Sequence, residues 1–174
     1  MSNLKEKCGV FAISGEPLSL NNLFKTLEKI QHRGRESFGI SFVDKTNLIN
    51  YCYQGLIKDN LKNNSEINNT TSLALLHTRY STSGCKNKKS IQEDCMPKKC
   101  TNKYLNIDFS FAFNGNIPND KKYKDFECLK DFNFEEYQDT NLIKHFMENY
   151  ESNNIENLII EFVRLFDRSF SLII

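Results

Sequence analysis

The apolar residues of this chain fall into short extended runs and amphipathic helical faces, and their spacing predicts the order of the elements. Cys8-Gly-Val-Phe-Ala-Ile-Ser14 is a compact apolar run that reads as a buried strand, ended by turn residues at Gly15-Glu-Pro17. Leu20, Leu23, Phe24, Leu27 and Ile30 share one face of a helix that stops at Arg33-Gly34. Segments 38–43 and 48–53 read as the two strands of a hairpin turning at Asp44-Lys45. An Asn-rich loop covers 59–70 and a strand 73–77. A long polar loop then runs from Ser81 to about Tyr104, and loops of that length in a compact domain are often functional. Residues 109–113 form a strand, broken by the turn chemistry of Asn114-Gly-Asn-Ile-Pro118. Leu142, Ile143, Phe146 and Met147 make one helical stripe. Ile155, Leu158, Ile159, Phe162, Leu165 and Phe166 make a second, and 169–174 reads as a final strand. Strands at the start, middle and end with helices between them predict a mixed sandwich of helices and sheets. The last residues are an uncovered apolar strand whose open edge invites aggregation, so further sequence or a partner is expected to continue the sheet.

Composition narrows the class. With 174 residues, 39% of them apolar and 26% charged, the chain has room for one sizeable core. A net charge of +1 provides no electrostatic footprint for nucleic acid. No apolar run approaches the roughly eighteen residues of a membrane span, and residues 1–7 lack the apolar stretch of a secretory signal. Neither nucleic acid nor membrane is therefore expected as a partner. Cysteines stand at 8, 52, 85, 95, 100 and 128. In a chain of this length without an export signal they point to a reducing, cytoplasmic compartment rather than a disulfide scaffold. Cys85, Cys95 and Cys100 share the long loop, but the spacing is irregular and no His accompanies them. They read as plain thiols, and no metal or other cofactor is expected.

Five segments could carry chemistry, and each also has a plain structural reading. Cys8-Gly9 is ordinarily a small core residue opening a strand. If residues 1–7 were removed, Cys8 would hold both a thiol and a free α-amine of pKa about 7.7–8.0, so nucleophile and base would sit on one residue. Gln31-His-Arg-Gly-Arg-Glu-Ser-Phe-Gly-Ile40 is a helix end and Gly stop entering a strand. His77-Thr-Arg-Tyr-Ser-Thr-Ser-Gly84 ends a strand with an Arg that can hold a carboxylate by two parallel hydrogen bonds or make a surface ion pair. Phe113-Asn-Gly-Asn116 is a turn that could also present an amide N–H and a carboxamide to an oxyanion. Gln138-Asp-Thr-Asn141 resembles a helix start with Asp139 as its cap.

Taken in order along the chain, these segments resemble the class II glutamine amidotransferases, and within them the glutaminase domain of the amidophosphoribosyltransferase branch. Gln-His-Arg-Gly and His-Thr-Arg-Tyr-Ser-Thr carry the distinction from neighbouring branches. The resemblance implies an α+β fold, the four-layer αββα sandwich of N-terminal-nucleophile hydrolases, over residues 8–174. It implies L-glutamine as substrate and ammonia release in purine biosynthesis. It makes Cys8 the nucleophile, Asn114 and Gly115 the oxyanion hole, and Arg79 the grip on the α-carboxylate. Asp139 would take the α-ammonium, Thr82 a further substrate contact, and Arg33 a supporting position. His77 and Tyr80 would be structural. Residues 1–7 match the short propeptide that some members carry. A phosphoribosyltransferase domain or subunit would be the partner, with homo-oligomers open. Three departures stand out. Phe113 replaces a usual His, and Met96-Pro97 replaces a common Gln-Pro. The chain also ends inside the family's domain, with no acidic, Gly-rich diphosphate-binding motif. The rival reading is an incomplete, non-catalytic module that binds glutamine or a partner chain.

Overall fold

The computed structural model describes residues 8–60, 69–80 and 93–174. They form two compact units. The first takes the described part of Met1–Lys99 together with Ser110–Asn114 and Leu172–Ile174; the second takes Cys100–Phe109 and Gly115–Ser171.

In the first unit β1 (Gly9–Ser19), β2 (Ser37–Asp44), β3 (Asn47–Gln54) and β4 (Thr70–Arg79) make an antiparallel sheet in the order β1-β4-β2-β3. Helix α1 (Leu20–Ile30) buries Leu20, Leu23, Phe24 and Leu27. These join Phe38, Ile40, Phe42, Ala74 and Leu76 in one core, where each large buried side chain contributes about 1.5–3 kcal/mol. Ser19 starts the helix by accepting the Asn22 N–H at 3.3 Å. A 3-10 turn over Gln31–Arg33 ends it, closed by Gly34 N–H donating to the Gln31 carbonyl at 2.9 Å. Gln31 is itself buried, and its Oε1 accepts the Ile57 N–H at 3.2 Å, capping the short helix α2 (Ile57–Asn60). The expected hairpin pairs from Ser37↔Gln54 to Asp44↔Asn47.

Strand β1 corrects the expectation of a short buried strand. It is an edge strand, with Phe11 and Ile13 half-buried between exposed Ala12 and Ser14. It also runs through Gly15-Glu-Pro17 to Ser19, with a register shift between Ser14 and Leu18. The residues that read as a turn make an irregularity inside a strand.

In the second unit α3 (Asp139–Asn149) and α4 (Ile155–Leu165) carry the two predicted stripes. Phe146, Phe162 and Phe166 are fully buried, with ring centroids 4.9–5.9 Å apart in edge-on and tilted contacts. Asn154 caps α4 through the Asn157 N–H at 2.8 Å.

Strands β5 (Lys98–Asn102), β6 (Ile107–Gly115) and β7 (Phe170–Ile173) form a three-stranded sheet in that order. Strand β5 lies inside the segment expected to be a loop up to Tyr104; residues 81–92 of that loop lie outside the described residues. Among the described residues no helix is long and apolar enough to cross a membrane.

Candidate active site

Strand register assembles the first part of the site. Gly9 pairs with Thr78 and Ser37 with Arg79. The end of β4 therefore lies between Cys8, one residue before β1, and Glu36, one residue before β2. Two glycines allow the approach. The Gly9 N–H donates to Thr78 Oγ1 at 3.1 Å, and a Cβ on Gly9 would stand 2.7 Å from that oxygen. A Cβ on Gly34 would stand 2.5 Å from the carbonyl carbon of Arg79.

Cys8 is half-buried. The Tyr80 N–H donates to its Sγ at 3.3 Å, and Sγ lies 3.6 Å from the Tyr80 carbonyl oxygen. Burial pushes the thiol above its ordinary value, against the opposing pull of the Tyr80 backbone and the Arg79 charge. The group is therefore a neutral thiol at pH 7, and making it a nucleophile requires a base. With Lys7 attached, the Cys8 nitrogen is an amide and supplies none. Asn114 reaches the same residue from β6: its Nδ2 donates to the Cys8 carbonyl at 3.2 Å, across 106 residues of chain. A carboxamide carries a second N–H, and the first bond fixes where that second one points.

Arg79 holds two carboxylates. Its Nη1 donates to Glu36 Oε2 at 2.7 Å and its Nη2 to Asp94 Oδ2 at 2.5 Å, with the Arg79 side chain 14% exposed. Glu36 lies within the Gln31–Ile40 segment with no role assigned to it from the sequence, and Asp94 lies outside all five segments. Glu36 could have been found from the β2–β4 register, which sets its N–H on the Arg79 carbonyl at 3.2 Å. Asp94 had no local signal, because it lies in the long polar loop.

His77 is fully buried on β4, and desolvation pushes its ring down to about 3, so it is neutral at physiological pH. The Phe113 backbone approaches the ring short of good hydrogen-bond geometry and offsets only part of the effect. Arg33 ends the 3-10 turn and is partly exposed. Thr82 lies outside the described residues.

Gly115 and Asp139 belong to the second unit. Asp139 is the first residue of α3 rather than its cap; Gln138 holds the cap position. The Asp139 carboxylate accepts the Thr140 N–H at 2.8 Å and the Ile117 N–H at 3.4 Å. It thereby ties the start of the helix to the chain two residues beyond Gly115, where a negative charge also faces the favourable end of the helix dipole. Among the described residues no group of three or more His, Cys, Asp and Glu side chains is placed to hold a metal.

Fold and sequence together define the class: the chain is a relative of the class II glutamine amidotransferases, with their α+β sandwich fold. No family model matches it. It is 34% identical over 122 residues to amidophosphoribosyltransferase 3, chloroplastic, of Arabidopsis thaliana, covering 70% of this chain and 22% of that protein. It is 28% identical over 164 residues to amidophosphoribosyltransferase of Staphylococcus aureus strain COL, covering 94% of this chain and 32% of the relative. Two solved structures share the fold. One, described as the allosteric regulatory enzyme of purine biosynthesis, superposes with a TM-score of 0.74 at 23% identity, over 94% of this chain and 34% of that one. The other, glutamine phosphoribosylpyrophosphate amidotransferase from B. subtilis, gives 0.72 at 23% identity over the same shares. The chain thus spans a third or less of the length of the curated relatives it matches.

Proposed function

We propose that this chain is a glutaminase domain that releases ammonia from L-glutamine for purine biosynthesis in the cytoplasm, with Cys8 as its nucleophile. The observation that carries the reading is the meeting at Cys8: a thiol against the end of β4 and the Asn114 carboxamide 3.2 Å from the Cys8 carbonyl. Removal of residues 1–7 as a propeptide gives Cys8 a free α-amine whose pKa of about 7.7–8.0 lets it take the thiol proton near neutral pH. The thiolate attacks the side-chain amide carbon of glutamine. Asn114 Nδ2 and the Gly115 N–H stabilise the resulting oxyanion, a contribution that exists only where charge develops. The Cys8 α-ammonium returns that proton to the leaving nitrogen, ammonia departs, and water hydrolyses the glutamyl thioester to glutamate. Arg79 holds the α-carboxylate, Asp139 takes the α-ammonium, Thr82 adds a contact and Arg33 supports the nucleophile. A zwitterionic amino acid needs one cation and one anion in its site, roles that the family resemblance gives to Arg79 and Asp139. A phosphoribosyltransferase domain or subunit is the proposed consumer of the ammonia. The test is glutamine-dependent ammonia release by the processed chain, which Cys8→Ala should abolish. Activity surviving in that variant would refute the assignment.

A further inference from the structure

The guanidinium proposed to grip the substrate already has carboxylates on both arms. Glu36 on Nη1 and Asp94 on Nη2 give a trio of one formal cation and two anions, and the side chains are 14% (Arg79), 29% (Glu36) and 17% (Asp94) exposed. A third carboxylate approaching that fork meets a net charge of −1, in a setting where solvent screens little. One resident must therefore yield before a substrate carboxylate can take a two-point grip. The two differ in where their backbones lie. The Glu36 N–H donates to the Arg79 carbonyl at 3.2 Å and the Glu36 carbonyl accepts the Gly55 N–H at 2.7 Å, so its backbone, one residue before β2, is tied to the ends of β4 and β3. Asp94 comes from the turn that precedes β5, outside any strand.

We propose that Asp94 is a built-in competitor for the α-carboxylate of glutamine, occupying Arg79 Nη2 until substrate displaces it, while Glu36 is the positioning residue that holds the fork in place. The inference rests on the reading of Arg79 as the carboxylate grip. It predicts opposite signs for two charge-removing substitutions on one arginine. Asp94→Asn should lower the KM for glutamine by about ten-fold, with kcat following the chemistry at Cys8 and so little changed. Glu36→Gln should raise KM, because Arg79 loses the contact that orients it. Inhibition by the product L-glutamate, which carries the same α-carboxylate, should tighten in Asp94→Asn by a similar factor.

The experiment is steady-state ammonia release by the processed full chain, as wild type, Asp94→Asn and Glu36→Gln, with Asp94→Ser as a second charge-removing variant should Asp94→Asn fold poorly. A lowered KM with tighter glutamate inhibition supports the competitor. An unchanged or raised KM in the Asp94 variants of an active protein overturns it and leaves the glutaminase reading standing. A wild-type chain that releases no ammonia removes the glutaminase reading, and this inference falls with it.

Discussion

Arg79 and Asn114 act on different parts of the proposed reaction, so substitution should separate them. Arg79 would hold the α-carboxylate equally in ground and transition states. Arg79→Lys replaces a two-pronged donor by a point charge and should raise KM by roughly ten- to a hundred-fold, with the smaller effect on kcat. Asn114 would act where charge develops. Asn114→Ala should lower kcat by about 10²–10³ with glutamine binding largely kept. Initial rates over a range of glutamine concentrations check both, and an Asn114→Ala variant altered only in KM would contradict its role. At this scale the sequence named Cys8, Arg79 and Asn114 through the wording of their segments. It gave Glu36 and Asp94 no role, because ion-pair partners depend on strand register and on the path of a loop, neither of which leaves a local pattern. Two departures from the family wording also turn out to be neighbours. The Phe113 N–H points at Met96 Sδ, 3.4 Å away, and both residues are buried. The resemblance implies Gln and His at these two places; the apolar pair that stands there needs no side-chain hydrogen-bond partners.

Strand β4 organises the first unit. It pairs with both β1 and β2 and delivers Thr78, Arg79 and Tyr80 to Cys8 and Glu36. It also carries the buried His77, which yields a pH prediction. Its ring is held down to about 3 by burial, against an ordinary 6.5. The unfolded chain therefore binds a proton below pH 6.5 that the folded chain refuses, and stability falls as pH drops from 6.5 towards 3. One such proton contributes a slope of at most about 1.4 kcal/mol per pH unit. Urea unfolding at several pH values in that window should show a shallower decline in His77→Gln than in wild type. Parallel slopes would mean that His77 accepts its proton in the folded protein. The helices and the hairpin were readable because their apolar spacing is regular. Strand β5 was not, since Lys98-Lys-Cys-Thr-Asn102 looks polar throughout. Its buried positions are Cys100 and Asn102. Asn102 can be buried because its amide is satisfied on every side: it donates to the carbonyls of Met147 and Tyr150 at 2.8 and 3.0 Å and accepts the N–H groups of Tyr104 and Leu105 at 3.0 and 2.9 Å. Strand β1 departs from its pattern for the opposite reason: an apolar run predicts burial, but an edge position exposes alternate side chains.

For the molecule as a whole, the similarity extends over nearly the full chain while reaching only about a third of the Staphylococcus aureus relative. What has to hold for the account is local: a single reactive thiol, freed of the residues before it. In the chain that still carries Lys7, burial keeps the Cys8 thiol protonated at neutral pH, so alkylation by iodoacetamide should be slow at pH 7 and still rising above pH 9. Processing should move that rise to lower pH by placing an amine beside the sulphur. The most direct measurement is peptide mapping of the active protein after treatment with a glutamine-mimicking electrophile. The account predicts one adduct, on a peptide whose free N-terminus is Cys8, and protection of that site by excess L-glutamine. An adduct on Cys52, Cys85, Cys95, Cys100 or Cys128 instead, or full activity in protein that retains residues 1–7, would contradict it.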